Sequence, residues 1–191
     1  MLEYAVNNYS NRFMKRYSFV AGNGKSITVP FVLYEKYSYQ DYYTLTENKQ
    51  NKNPQFVGGY DTAMGEEIIP IFVNYNKNQS DRFNYKDYFV DASHFIWYTK
   101  ERTRLDSPFI DRVRKYKSHN LKFLLFIRKE KKKTTEFFFL GSIKPTGVFS
   151  QEKKKGKDNA ETDVVRIEMT LDVEVKDSLY QNLTYQDGLD D

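Results

Sequence analysis

The segment Val164–Val175 restricts the possible folds of this chain more than any other. Apolar side chains at every second position, from Val165 to Val175, alternate with charged or polar ones, which predicts a strand with one buried and one wet face. Its 12 residues would span about 40 Å at ~3.3 Å per residue, longer than most strands, so we expect a bend or a β-bulge. The chain must therefore build a sheet that curves around a core.

Composition then excludes several classes of protein. With no cysteine and two histidines, disulfides, thiolate zinc sites and cysteine nucleophiles are absent, and little remains for a histidine metal site. Aromatic residues make up 17% of the chain, which favours a folded core of rings over disorder. Neither an apolar run of ~20 residues nor a secretory leader is visible, so we expect a cytoplasmic protein without cofactor or metal.

The remaining patterns predict both helices and strands. Three- and four-residue apolar spacing indicates a helix from Leu2 to about Val20, ended by the turn at residues 22–24. Ser38 with Asp41 resembles a capping box, Pro70 indicates an edge or a bulge, and Ser107-Pro108 starts a helix. Residues 150–163 are polar enough to predict a mobile loop. The other expected elements are strands at 27–34, 55–60, 68–75, 94–99, 121–129 and 136–143, and a short helix at 177–183.

These elements predict an α+β fold, with a curved mixed or antiparallel sheet or a small open β-barrel and flanking helices.

A Gly-Lys-Ser at residues 24–26 lacks the first glycine and the preceding strand of a phosphate-binding loop. Glu-x-Lys spacings at Glu130 and Glu152 match half of a restriction-type nuclease motif, but both fall in predicted loops within lysine runs. We therefore expect no enzyme, and a metal-dependent nuclease is the weaker alternative.

Charge is distributed unevenly along the chain. The formal net charge is +4, yet residues 100–133 hold 13 basic and 4 acidic side chains, and residues 158–191 hold 2 basic and 10 acidic ones. Basic side chains interleaved with aromatic ones are typical of a nucleic-acid surface, where cations meet phosphates and rings stack on bases. The alternative is a solvated helix face and a lysine-rich hairpin tip without a ligand.

Several stretches resemble a known family of domains. Between Phe31 and Leu183 the matching segments, in order, are YSYQD (37–41), PIFVNYNK (70–77), YKDYF (85–89), FIWYTKERTR (95–104), Ser107 with the helix after it, LFIRK (125–129), FFFLG (137–141) and Leu179-Tyr180. They resemble a bacterial family of unknown function that usually forms the C-terminal domain of restriction-type superfamily-II helicases, often behind a phospholipase-D-type nuclease domain. Thr99 stands where that family would have Ser, and the helicase and nuclease motifs are missing.

The resemblance implies a DNA-handling role in restriction or anti-phage defence, with helicase and nuclease domains as partners. It divides the chain into an N-terminal linker helix and turn (1–30), an accessory domain (31–183) and an acidic tail (184–191). The curved sheet or small open barrel predicted above would be similar in general shape to PUA domains. We interpret the chain as a non-catalytic domain that recognises DNA, with modified or phage DNA as a candidate target. The alternative is a module that docks onto a helicase, a nuclease or a phage protein.

The candidate binding site centres on the end of the strand at 94–99 and the loop after it. Because alternate residues of a strand face opposite sides, one of Trp97 and Tyr98 should be exposed for stacking. The other candidates are cations of the loop, of the helix after Ser107 and of the predicted hairpin at 121–143. The full set is Trp97, Tyr98, Lys100, Arg102, Arg104, Arg112, Lys115, Arg128, Lys131 and Lys132.

Overall fold

The computed structural model describes residues 16–46, 67–75, 87–129, 134–155 and 160–185. Within these ranges the chain forms nine strands and three helices. The strands are β1 (Arg16–Val20), β2 (Ser26–Val32), β3 (Lys36–Tyr37), β4 (Ile68–Asn74), β5 (Tyr88–Phe89), β6 (His94–Tyr98), β7 (Lys122–Arg128), β8 (Phe137–Lys155) and β9 (Glu161–Leu171). The helices are α1 (Tyr39–Leu45), α2 (Pro108–Arg114) and α3 (Asp177–Thr184).

The strands form a two-stranded ribbon and a larger mixed sheet. β1 and β2 pair antiparallel, and the main sheet has the order β4-β7-β8-β9-β6-β5, with β3 added to β8. All pairs in the main sheet are antiparallel except β4 and β7, which run parallel. The sheet is strongly curved, which confirms the predicted α+β fold class.

Apolar side chains cover both faces of the main sheet. One cluster packs Trp97, Ile110 and Leu183 from β6, α2 and α3 against β7, β8 and β9. The other is a group of rings, including Phe31 and Phe126, beneath α1 and the β1–β2 ribbon. Every residue of β7 is buried, which explains its nearly continuous apolar run, because a strand covered on both faces cannot alternate.

Several local predictions are confirmed. The Ser38 hydroxyl accepts the Asp41 N–H while the Asp41 carboxylate accepts the Ser38 N–H, so α1 begins with a capping box. Pro70 lies in β4, at the edge of the sheet, where its missing N–H costs no ladder bond. The Ser107 side chain, however, makes no bond to α2 and instead accepts the Arg104 N–H at 2.9 Å.

Two predictions of secondary structure were wrong. Residues 16–20, expected at the end of a helix from Leu2, form strand β1, because Tyr17 and Phe19 alternate with exposed residues and pack on the ring cluster. Residues 150–155 and 161–163, expected in a mobile loop, extend the β8–β9 hairpin, where ladder bonds replace the missing apolar burial. Residues 2–15 and the predicted strand at 55–60 lie outside the described residues.

The strand predicted at 164–175 is β9, which ends at Leu171, and the expected bulge lies in its partner β8 and not in β9. The β8–β9 register shifts between Pro145, which faces Met169, and Phe149, which faces Ile167. Four steps along β8 thus oppose two along β9, and Gly147 within the bulge has a φ of +103° that side-chain-bearing residues rarely adopt. Beyond the bulge β8 no longer pairs with β7 and continues with β9, which β6 still flanks as far as Arg166.

Among the described residues, no helix is both long and apolar enough to cross a membrane.

Gly141 in β8 should be more sensitive to substitution than Gly24 in the β1–β2 turn. Both have positive φ, +91° and +80°, but a Cβ at Gly141 would lie 3.0 Å from the Tyr17 ring, whereas nothing lies within 4 Å at Gly24. We expect Gly24→Ala to lower the free energy of unfolding by about 1 kcal/mol and Gly141→Ala by about 2–4 kcal/mol. Urea denaturation of both variants measures the difference, and equal losses would contradict steric contact with Tyr17.

Candidate nucleic-acid interface

The loop that follows β6 is tied to β9 at its first residue. Thr99 is buried, its N–H donates to the Val165 carbonyl at 3.0 Å, and its hydroxyl accepts the Val165 N–H at 2.9 Å. A side-chain oxygen thus takes the place of a backbone acceptor where the ladder between β6 and β9 ends. Threonine supplies the same hydroxyl as the serine expected from the family resemblance, so this departure keeps the bond.

Side chains of the β8–β9 hairpin hold the rest of the loop. The Arg102 N–H donates to the Thr162 hydroxyl at 3.3 Å, and the Leu105 N–H donates to the Gln151 side-chain oxygen at 2.9 Å. The Gln151 amide group donates in turn to the carbonyls of Thr103 and Val164. The loop therefore has a defined backbone path across a hairpin that the sequence predicted to be mobile.

Cations project from both parts of this surface. Arg102 and Arg104 are exposed on the loop, and Lys153 and Lys155 are exposed on β8. Lys100 is half-buried and has a partner within the fold. We call these five residues and the backbone that carries them the loop–hairpin surface. Sequence analysis did not include Lys153 and Lys155 among the candidate binding residues. In the strand they alternate with Glu152 and Lys154, which are half-buried, and this alternation was the available signal.

The ion pairs at this surface are weak. Arg104 Nε lies 3.7 Å from an Asp106 carboxylate oxygen, and the two side chains are 67% and 80% exposed. Lys153 lies 4.0 Å from Glu161, again between exposed groups. Within the described part of the chain, the Arg102 side chain has no ion pair. Solvent-exposed pairs contribute about 0–1 kcal/mol, so these cations can exchange their partners for phosphates at little cost.

The stacking ring expected at the end of β6 is not exposed. Trp97 and Tyr98 do face opposite sides, but both are buried, at 2% and 8% exposed. Trp97 packs in the core between Phe109 and Phe123. The Tyr98 ring lies under the Lys154 ammonium, 4.8 Å from the ring centroid, and its hydroxyl donates to Glu152 at 3.3 Å. Long charged side chains on the hairpin have covered the second ring.

Helix α2 contributes its cations unequally. Arg112 is half-buried, and Lys115 is exposed but paired with Asp111 one turn earlier, at 2.9 Å. The Arg114 guanidinium donates to the Leu105 carbonyl at 3.1 Å and lies 5.2 Å from the Phe149 ring centroid. Arg114 therefore fastens the loop to the helix and to β8.

Arg128 has a structural position and not the predicted surface one. It is 6% exposed, donates to the Asn74 side chain and to the Thr134 carbonyl, and lies 4.2 Å from the Phe137 ring centroid. Burial lowers the pKa of its guanidinium from the usual value. Arg128 thus joins β4 to the β7–β8 hairpin. Lys131 and Lys132, predicted at the tip of this hairpin, lie outside the described residues.

The Glu-x-Lys spacing at Glu152 lies on a strand and not in the loop where sequence analysis placed it. Glu152 and Lys154 share one face of β8, with 2.9 Å between their charged groups, and Glu152 also lies 4.0 Å from Arg166. A metal-dependent nuclease needs further carboxylates beside such a pair. In the described ranges, no group of three or more His, Cys, Asp or Glu side chains is arranged to hold a metal ion.

The fold and this surface define an α+β domain in which a curved mixed sheet presents a basic loop on its longest hairpin. Residues 31–183 match the profile of a domain of unknown function (DUF3427), and the chain belongs to that family. No curated protein sequence matches the chain significantly.

Three solved structures have partial similarity to the fold. The DNA modification-dependent restriction endonuclease AspBHI has a TM-score of 0.44 and 17% identity, over 62% of this chain and 64% of that one. The MspJI restriction endonuclease in complex with a 27-mer oligonucleotide has a TM-score of 0.42 and 11% identity, over 56% of this chain and 29% of that one. The sulfur binding domain and SRA domain of ScoMcrA complexed with phosphorothioated DNA have a TM-score of 0.46 and 8% identity, over 80% of this chain and 45% of that one. This chain spans less than two thirds of each.

Replacing Arg102 by glycine should not destabilise the domain. Arg102 has a φ of +63°, in the left-handed region that costs a side-chain-bearing residue about 1–2 kcal/mol and glycine almost nothing. We expect Arg102→Gly to leave the free energy of unfolding unchanged or to raise it by up to about 1 kcal/mol. Arg104→Gly is the control for side-chain loss at a residue outside that region. Marked destabilisation by Arg102→Gly alone would show that the Arg102 side chain supports the fold.

Proposed function

We propose that this chain is a non-catalytic DNA-recognition domain that binds the phosphate backbone of duplex DNA through the loop–hairpin surface. It acts in a restriction or anti-phage assembly whose helicase and nuclease activities lie in other domains, as the family resemblance implies. The observation that carries the proposal is the placement of Arg102 and Arg104 on a loop bonded to the hairpin that bears Lys153 and Lys155.

Charge supports binding to a polyanion. Residues 99–117 contain seven basic and three acidic side chains, and the ion pairs observed among them are exposed and weak. Each cation that neutralises a phosphate releases condensed counterions, which contributes favourable free energy at low salt. Because the loop backbone is bonded to β8 and β9 before binding, less of it has to be ordered in the complex.

The strain at Arg102 supports a role for its side chain. Glycine or asparagine would satisfy the backbone at φ +63° more cheaply, yet an arginine occupies the position with its guanidinium exposed and unpaired among the described residues. Unfavourable backbone geometry concentrates at binding and catalytic sites, where a side-chain interaction compensates for it. We infer that Arg102 is the central phosphate contact.

Burial of the two predicted stacking rings favours duplex over single-stranded DNA. Binding to single strands relies on aromatic side chains on which successive bases stack. At the end of β6, Trp97 is in the core and Tyr98 is covered by Lys154. The contacts left to the loop–hairpin surface are cations and amide groups, which position a duplex through its phosphates.

Neutralising the loop should weaken DNA binding and reduce its dependence on salt. The slope of log K against log salt concentration is negative, and we expect alanine at Lys100, Arg102 and Arg104 together to reduce its magnitude by about 0.9 for each phosphate that the variant no longer neutralises. Fluorescence anisotropy with duplex and single-stranded DNA at two or more salt concentrations measures this. The matched control replaces the exposed Lys25, Lys36 and Lys176, which carry the same charge outside this surface.

Two outcomes would contradict the proposal. Equal weakening by the control would show that net charge, and not the loop–hairpin surface, drives binding. Absence of affinity for any nucleic acid at low salt would favour the alternative of a module that docks onto a partner protein. Arg102→Gly separates folding from binding, since it should lose affinity while keeping its stability.

The domain should not cleave DNA. Incubation with supercoiled and linear duplex in Mg²⁺ or Mn²⁺ is expected to leave both intact, because Glu152 is paired with Lys154 and, in the described ranges, belongs to no group of three or more His, Cys, Asp or Glu side chains that could hold a metal ion. Glu152→Gln is the matched control. Cleavage that this substitution abolishes would establish a nuclease and overturn the non-catalytic assignment.

A further inference from the structure

A second concave site lies away from the loop–hairpin surface. A cleft of about 320 Å³ separates the β1–β2 ribbon from β8 and from the turn that follows α2. Its walls are apolar and partly aromatic, with Phe19 and Val20 from the ribbon and Tyr116 and Phe123 from the opposite side. This volume is at the lower end of the ~300–1,000 Å³ typical of small-molecule sites.

The floor of the cleft is a connected polar group. Ser142 donates its backbone N–H to the Tyr17 hydroxyl at 3.1 Å and its own hydroxyl to Asp172. Lys144 donates to the other Asp172 carboxylate oxygen at 2.7 Å. Each carboxylate oxygen can accept more than one hydrogen bond, so Asp172, which lines the cleft, can still accept an N–H from a ligand.

Of the three lysines that line the cleft, one supplies a cation at its rim. Lys122 is bonded to Glu67 at 2.7 Å and Lys144 to Asp172, so their charges are balanced within the fold. Lys117 is exposed, and its stem packs on the ribbon so closely that a Cβ at Gly22 would lie 3.0 Å from Lys117 Cγ. Its ammonium group lies 5.9 Å from the Tyr116 ring centroid. One positive charge is thereby held at the mouth of an aromatic cleft.

We propose that this cleft binds one nucleotide, with the base between the apolar walls, an N–H of the base on Asp172 and the phosphate beside Lys117. The apolar faces of a nucleobase match the walls of the cleft, and its polar edge matches the floor. The phosphate of the nucleotide is an anion, which matches the cation at the rim. Thymine presents two carbonyls beside its single N–H, so the Asp172 carboxylate disfavours it relative to adenine and cytosine. The nucleotide is either free or unstacked from a strand, and the inference does not depend on binding by the loop–hairpin surface.

Equilibrium dialysis of the full chain with dAMP, dCMP, dTMP and inorganic phosphate tests the cleft. We expect dAMP and dCMP to bind more tightly than dTMP, and phosphate alone to bind more weakly than any of them. Val20→Trp places a large ring at the mouth, where Val20 is 67% exposed, and should weaken binding at least about tenfold. Val90→Trp is the matched control, at an exposed valine outside the cleft.

Two exposed or conservative variants keep the test independent of folding. Lys117→Ala should weaken binding of the nucleotides at least about tenfold, since a charge-assisted bond to phosphate is removed. Asp172→Asn should abolish the preference for dAMP and dCMP over dTMP, a change that loss of stability alone would not produce. Phosphate binding as tightly as the nucleotides, or variants that leave every affinity unchanged, would overturn the proposal.

Duplexes distinguish the two sources of the nucleotide. If the cleft takes a nucleotide from a strand, a duplex with one bulged adenine should bind more tightly than the paired duplex, and Val20→Trp should remove that advantage. If Val20→Trp changes neither the affinity for free nucleotides nor the affinity for the bulged duplex, the cleft is not a nucleotide site. The loop variant of Lys100, Arg102 and Arg104 reports separately on backbone binding, so either proposal can fail without the other.

Discussion

The antiparallel pairing of β8 with β9 is the interaction on which the rest of the structure depends. β8 also pairs with β3 and β7, and β9 with β6, so one apolar cluster forms on both strands and the ring cluster forms on β8. Past the bulge at Gly147 the same pair continues through the buried Val165 and Val164 to a polar end at residues 153–155 and 161–163. The loop after β6 is positioned by the β8–β9 hairpin, and Ser142 bonds across the pair to Asp172 in the cleft. One continuous ladder therefore places both candidate sites.

Burial divides the basic side chains of residues 100–133 into two groups with different roles. Removing a cation from water is costly unless polar partners surround it, and Arg128 and Lys122 have such partners in Asn74, Thr134 and Glu67. These two residues join neighbouring parts of the fold. Arg102 and Arg104 remain in water on a loop whose own backbone is bonded elsewhere. Of these four, only Arg102 and Arg104 keep their charges available for a polyanion, which is why the loop, and not the whole basic block, carries the proposed function.

Local rules predicted much of this fold, and they failed where tertiary contacts decide. The capping box at Ser38, the edge position of Pro70 and the alternation in β9 depend on neighbouring residues or on one buried face, so their patterns are visible in the chain. Tyr17 and Phe19 fit a helical spacing as well as a strand, and the ring cluster beneath β1 selects the strand. The polar residues 150–155 have no apolar signal at all, because their strand is held by pairing with β9 and by polar contacts with the loop after β6.

The sequence by itself determined the fold class, the family to which the chain belongs and the region where the basic charge lies. All three follow from residue type and order, which burial does not change. Only the tertiary structure decided which of those residues face a ligand. It buried Trp97, covered Tyr98 with Lys154, placed Arg128 between strands and put Lys153 and Lys155 on the hairpin to which the loop is bonded. Exposure of a side chain depends on what packs against it from distant parts of the chain, and no local pattern records that.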